Sequence, residues 1–188
     1  MAILKVARLG NPVLLRPAED IQPADVRGAR IQRLIDDMIV TMRDERGVGL
    51  AAPQVHESLR LFVMDPGGSE EEGGGLRVVV NPVLSFPGDD VQELWEGCLS
   101  IPGIRGRTER HFRVAVESLD RQGNEQRFEL EGFPAAVVQH ETDHLDGILF
   151  FHRMPDLDAL SFEEELARFR PDGGDEDEGD DESQGAAD

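Results

Sequence analysis

The run Gln139-His140-Glu141-Thr142-Asp143-His144 holds the residues in this chain best spaced for chemistry. In a helix, positions four apart lie on one face, one turn above each other, so both imidazoles can reach a single metal ion. Glu141 stands between them, beside the ion but not needed as a ligand, where it can take a proton from a water that the metal activates. The neighbouring residues support a helix. Pro134 suits a first turn, Ala135, Ala136, Val137 and Val138 give an apolar body, and Gly147 is a natural stop. The bland alternative is a core helix with two incidental histidines, and the motif is short enough to need support from elsewhere.

A catalytic site of this kind needs a third protein ligand. A histidine in the pattern His-x-x-Gly-x-x-His is ruled out: Gly147 is in place, but the ligand position is Phe150. Two sources remain. A thermolysin-like site would draw on a downstream glutamate, and Glu163, Glu164 and Glu165 fall in range. The other source is Cys98, the only cysteine, within Glu96-Gly97-Cys98-Leu99-Ser100. A lone cysteine forms no internal disulfide and is most often a small buried apolar residue. The flanking Gly97 and Gly103 give it instead the setting of a tight loop.

The elements that must position these groups follow from periodicity. Residues 1–22 read as extended, with turns at Gly10-Asn11-Pro12 and Arg16-Pro17. A helix beginning near Pro23 carries Ile31, Leu34, Ile35, Met38, Ile39 and Met42 on one face and stops at Arg46-Gly47. The stretch Gly47-Val48-Gly49-Leu50-Ala51-Ala52-Pro53-Gln54 has so little side-chain bulk that a ligand could approach its backbone closely. It matches no phosphate-binding fingerprint. Strands are expected at 59–65, 76–81, 83–86 and 91–95, the last feeding Cys98. Residues 110–119 and the return through Phe128 and Leu130 form a hairpin around a five-residue loop at 120–124. A last strand is expected at 148–151 and a short amphipathic helix at 162–169. Helices and antiparallel strands without βαβ alternation make the class α+β, with mixed, mainly antiparallel sheets packed around a central metal-binding helix.

Composition narrows the partners. A net charge of −20 argues against phosphate-driven nucleic-acid binding. Nine acidic and no basic residues follow Pro171, so 171–188 is expected to be a disordered acidic tail on a single domain spanning 1–170. No apolar run approaches the roughly 20 residues of a membrane helix. The first residues lack a signal-peptide core, so a cytoplasmic location is expected. His56, His111 and His152 lie in no ligand-spaced motif.

Taken together, residues 47–54, the Cys98 stretch and the His140 stretch resemble the three signature motifs of peptide deformylases, in that family's order and approximate separations. The resemblance extends to Gly10-Asn11-Pro12-Val13-Leu14 and Pro102-Gly103-Ile104-Arg105-Gly106, and covers residues 1 to about 155. It implies that Cys98, rather than Glu164, joins His140 and His144 on the metal, with an open fourth position. The ion implied is usually ferrous iron, and zinc, nickel or cobalt can occupy the same site. The implied reaction removes the N-formyl group from the first methionine of a new polypeptide. Glu141 serves as the base, and Gln54 and the Leu99 backbone N–H hold the oxyanion. The methionine pocket maps to Val48, Phe133, Ala136 and Val137, with Gly49 and Gly97 among the substrate-binding positions and Arg105 holding the peptide beyond the methionine. Asp143 is read as an anchor whose partner the sequence does not name. Relatives often end in a basic helix that approaches the ribosome. The acidic end of this chain is therefore expected to weaken such proximity, or to add nothing to it. A monomer is expected.

Overall fold

The computed structural model describes residues 1–68 and 74–169. The apolar stripe over 31–42 forms the helix it predicts. α2 (Ala29–Asp44) buries Ile31, Leu34, Ile35, Met38, Ile39 and Met42. Its expected start splits off as a single turn, α1 (Pro23–Val26), because Gly28 takes up extended backbone and caps α2.

Two antiparallel sheets follow. β1 (Gly49–Ala51), β2 (Leu61–Met64), β3 (Arg77–Ser85), β6 (Arg113–Leu119) and β7 (Glu125–Glu131) form a five-stranded sheet in the order β1-β2-β3-β6-β7. β4 (Val91–Cys98), β5 (Ile101–His111) and β8 (Leu160–Phe162) form a three-stranded sheet. Helix α3 (Gly132–Leu145) lies in the middle, and α4 (Glu163–Phe169) follows β8. The alternation of a strand decides which helix covers which face. On β2, Leu61 and Val63 pack with Ile35, Met38 and Met42 of α2, whereas Phe62 and Met64 pack with Ala135, Val138 and Leu145 of α3. A smaller cluster of Ala7, Leu14, Cys98, Ile101, Leu149 and Phe150 lies beside the small sheet.

α3 is buried at every position from 135 to 145, polar residues included. Its end is set by Gly147 at φ 73°, which returns two N–H groups to the last turn: Gly147 to His144 O at 3.3 Å and Ile148 to Asp143 O at 2.8 Å.

Several expected boundaries differ. The strands expected at 76–81 and 83–86 are one strand, β3, carried through an irregularity between Val80 and Val83, where Asn81 takes a left-handed backbone at φ 50°. Its amide compensates by bonding both backbone groups of Ile21, at 3.0 and 2.7 Å. The stretch after Cys98 expected to be a loop belongs to the long strand β5. Pro102, Gly103 and Ile104 bulge between the pairs Gly97–Arg105 and Cys98–Ile101, which hides the strand from periodicity. The glycine-rich stretch supplies β1, a strand too short for pattern to reveal. No strand forms at 148–151. After Gly147 the chain turns into a 3-10 helix, Phe150–Arg153, with Phe150 buried, and the last strand is β8. The hairpin at 120–124 and the α+β class are as expected. The acidic tail at 171–188 lies outside the described residues. Among the described residues, no helix is long and apolar enough to cross a membrane.

Candidate active site

β4 delivers Cys98 to a tight turn, Leu99-Ser100, that leads back into β5. The sulfur thus arrives opposite the last two turns of α3. There, His140 and His144 lie along one face, edge to face, with ring centroids 5.0 Å apart. Cys98 Sγ lies 3.3 Å from His144 Nε2, and the candidate ligand atoms of Cys98, His140 and His144 all fall within 4.8 Å of one another. Glu164 is exposed on α4 and is not in this group. His56, His111 and His152 are likewise outside it.

His140 is oriented from behind. Its Nδ1 lies 2.7 Å from Glu96 Oε2. Glu96 in turn accepts from Thr108 Oγ1 at 2.6 Å and from Arg110 Nε and Nη2 at 2.6 and 2.9 Å. Arg110 also donates to Asp143 Oδ2 at 2.6 Å, and Arg153 closes the chain on Asp143 Oδ1 at 2.6 Å. The partners of Asp143 that sequence left unnamed are therefore two arginines. Burial alone would raise Glu96, but the hydrogen bonds from Arg110 and His140 outweigh it and hold the carboxylate well below its ordinary range. Burial likewise opposes ionisation of Asp143, and Arg153 and Arg110 reverse that.

The other side of the site is sparsely bonded. Glu141 is buried, and its Oε2 has no hydrogen-bond partner among the described residues. Burial pushes its carboxyl up to about 7, against the pull of His140 and His144. Gly49 makes room for it: a β-carbon there would sit 2.7 Å from the Glu141 carboxyl carbon. Gln54 is turned by Ala51, whose N–H donates to its Oε1 at 2.8 Å, so that its Nε2 faces Cys98 Sγ at 3.6 Å and Ser100 Oγ at 3.3 Å. Burial would raise the Cys98 thiol, but the two histidines hold it well below its ordinary value. A buried thiolate and two imidazoles, one of them fixed through its far nitrogen by a carboxylate, fit a divalent metal ion.

A cavity of about 620 Å³ opens onto this group. Gln54, Leu99, Cys98, His140 and Glu141 line its inner end. Val48, Phe133, Ala136 and Val137 give it apolar wall, and Gly49, Gly97 and Arg105 reach it as well. His144, only 1% exposed, stands behind the others and off the cavity wall. Sequence reasoning did not single out Glu96, Arg110 or Arg153, and it considered Glu163 only as a candidate metal ligand. Glu96 was within reach, since alternation along β4 puts it on the same side as Cys98.

The comparisons with known proteins agree with this geometry. A family model described as polypeptide deformylase matches residues 3–159. Peptide deformylase 1 of Prochlorococcus marinus (strain MIT 9313) is 40% identical over 171 residues, covering 88% of this chain and 88% of that one. The Met-Ala-Ser-bound class I type b peptide deformylase of Acinetobacter baumannii superposes with a TM-score of 0.75 at 36% identity, covering 81% of this chain and 99% of that one. The peptide deformylase of Thermotoga maritima gives a TM-score of 0.76 at 37% identity, covering 83% of this chain and 100% of that one. Motif order, site geometry and likeness over most of the chain lead to one assignment: the chain belongs to the polypeptide deformylase family.

Proposed function

We infer that this chain removes the N-formyl group from the N-terminal formylmethionine of newly synthesised polypeptides, by metal-dependent hydrolysis that releases formate. One observation carries the reading beyond family membership. Glu141, buried and with Oε2 unpartnered among the described residues, faces the same cavity as Cys98 and His140. A divalent ion held by Cys98, His140 and His144 supplies Lewis-acid polarisation of the formyl group and a nucleophile at neutral pH. We assign ferrous iron, one per chain, with zinc, nickel or cobalt able to use the same thiolate and imidazole donors.

The protein's own groups do the rest. Glu141 takes a proton from the attacking water and returns it to the amine nitrogen as the C–N bond breaks. Water and the formamide thus become formate and a free amino terminus. The Gln54 amide, turned inward by Ala51, and the Leu99 N–H donate to the oxyanion as it develops. Each such donor lowers a barrier by roughly 3 to 4 kcal/mol. Val48, Phe133, Ala136 and Val137 enclose the methionine side chain. The Gly49 and Gly97 backbones pair with the extended peptide, and Arg105 holds its continuation.

We further assign catalysis to residues 1–170, acting as a cytoplasmic monomer on nascent chains close to the ribosome. The acidic residues at 171–188 weaken ribosome docking or leave it unchanged. Deleting them should not reduce ribosome binding at any salt concentration; tighter binding by the full chain overturns this.

Anaerobic purification, metal analysis and formate release from formyl-Met-Ala-Ser test the central reading. The expected result is formate from the wild type, loss of metal in Cys98→Ala, and retained metal without formate in Glu141→Ala. Metal without formate in the wild type overturns the substrate assignment.

A further inference from the structure

The outer part of the cavity is charged, with Arg8, Glu45, Arg46, Arg105 and Glu163 on its wall. One pair among them is fixed by the fold. β8 sets Ser161 opposite Arg105 in the sheet register, and two residues later α4 begins with Glu163. Glu163 Oε1 accepts both Nη2 at 2.5 Å and Nε at 3.2 Å from Arg105. The guanidinium itself lies over Gly97, where a β-carbon would come within 2.8 Å of Nη1. Gly97 adjoins the ligand Cys98. An extended peptide advances about 3.3 Å per residue, so a chain leaving the inner end of the cavity passes this pair with its second and third residues.

We propose that Glu163 is a specificity-determining residue that sets the charge preference for the residues following methionine, admitting lysine or arginine and disfavouring aspartate or glutamate. The proposal rests on the deformylase reading and adds to it. An acidic substrate side chain meets an Arg105 already engaged through Nε and Nη2 by Glu163, so the enzyme's own carboxylate competes with it. A basic side chain finds Glu163 Oε2, which accepts neither of the Arg105 bonds. The pair is partly exposed, at 37% for Arg105 and 54% for Glu163, so the effect is graded rather than absolute.

The test uses the full metal-loaded chain and C-terminally amidated formyl-Met-Ala-Lys, formyl-Met-Ala-Ser and formyl-Met-Ala-Glu. Amidation removes a terminal carboxylate that would itself compete for Arg105. In the wild type, kcat/KM should fall in the order Lys, Ser, Glu. Glu163→Gln should shrink the Lys-to-Glu ratio by about fivefold while leaving the Ser peptide within about twofold. Glu163→Asp, which keeps the charge, should retain most of the ratio. Glu164→Gln changes net charge equally at an exposed position outside the cavity wall and should leave the ratio unchanged. An unaltered ratio in Glu163→Gln, an equal fall for all three peptides, or the same change in Glu164→Gln overturns the proposal. If the wild type releases formate from none of the peptides, the deformylase reading itself fails.

Discussion

Glu96 and Glu141 flank the same histidine, His140, and both are buried, at 7% and 4% exposure. Glu96 accepts four hydrogen bonds, from Thr108, His140 and two nitrogens of Arg110. Glu141 Oε2 accepts none among the described residues. The first carboxylate is held ionised far below its ordinary range, whereas the second is pushed up to about 7. Residue type and burial are matched, so the partners account for the difference. A saturated carboxylate is a fixed prop for a ligand. An unsaturated one at the wall of a cavity is free to exchange a proton with whatever enters.

The sharpest way to break this comparison is to neutralise each carboxylate while keeping its shape. Glu141→Gln should keep the metal and lower kcat by about a thousandfold, measured as formate release on the metal-loaded protein. Arg110→Met leaves Glu96 and Asp143 as buried charges without their shared cation. It should cost roughly 3 to 5 kcal/mol of stability, read as a fall of about 10 °C in the thermal midpoint. Glu96→Gln should weaken metal binding by about tenfold in chelator competition, with a smaller loss of kcat at saturating metal. Equal loss of metal by Glu96→Gln and Glu141→Gln would erase the distinction.

The smallest effect is on pH dependence, and there the two sides should pull in opposite directions. Asp143 has a depressed folded pKa. Its contribution is complete above the unfolded value of about 4 and drains away as pH falls through the lower folded value. Asp143→Asn should therefore lose less stability than wild type on acidification below about pH 4. Glu141 has a raised folded pKa. Its contribution to the metal-free protein is present below the unfolded value of about 4.3 and fades as pH rises towards about 7. Chelator-treated wild type should lose stability against Glu141→Gln over that window in urea unfolding. A flat difference curve would show that Glu141 is not shifted.

What the sequence made legible was local. His140 and His144 are related by one helical turn, and the stop at Gly147 is written in the residues beside it. The α2 stripe was equally readable because its partners need only be apolar. What stayed hidden depends on distant pairing. Asp143 meets Arg110 from 33 residues upstream, and one arginine among many carries no mark of burial. β5 was obscured by the bulge of Pro102, Gly103 and Ile104, which makes sense only once β4 lies beside it. β8 is three residues long and held by its neighbour, so propensity had little to act on. Glu163 could not be told from Glu164 and Glu165 by sequence, and only β8 carries it to Arg105.

The immersion of α3 on all sides also bears on how this protein can change over evolutionary time. A helix with one wet face, such as α2, offers neutral positions at Arg30, Arg33 and Arg43 where drift can accumulate unseen. α3 offers none between 135 and 145, since every position there is buried inside the protein. Random substitution across the two helices should therefore return many functional variants from the outer face of α2 and very few from this part of α3. Positions on the cavity rim, such as Glu163, can vary without disturbing that helix.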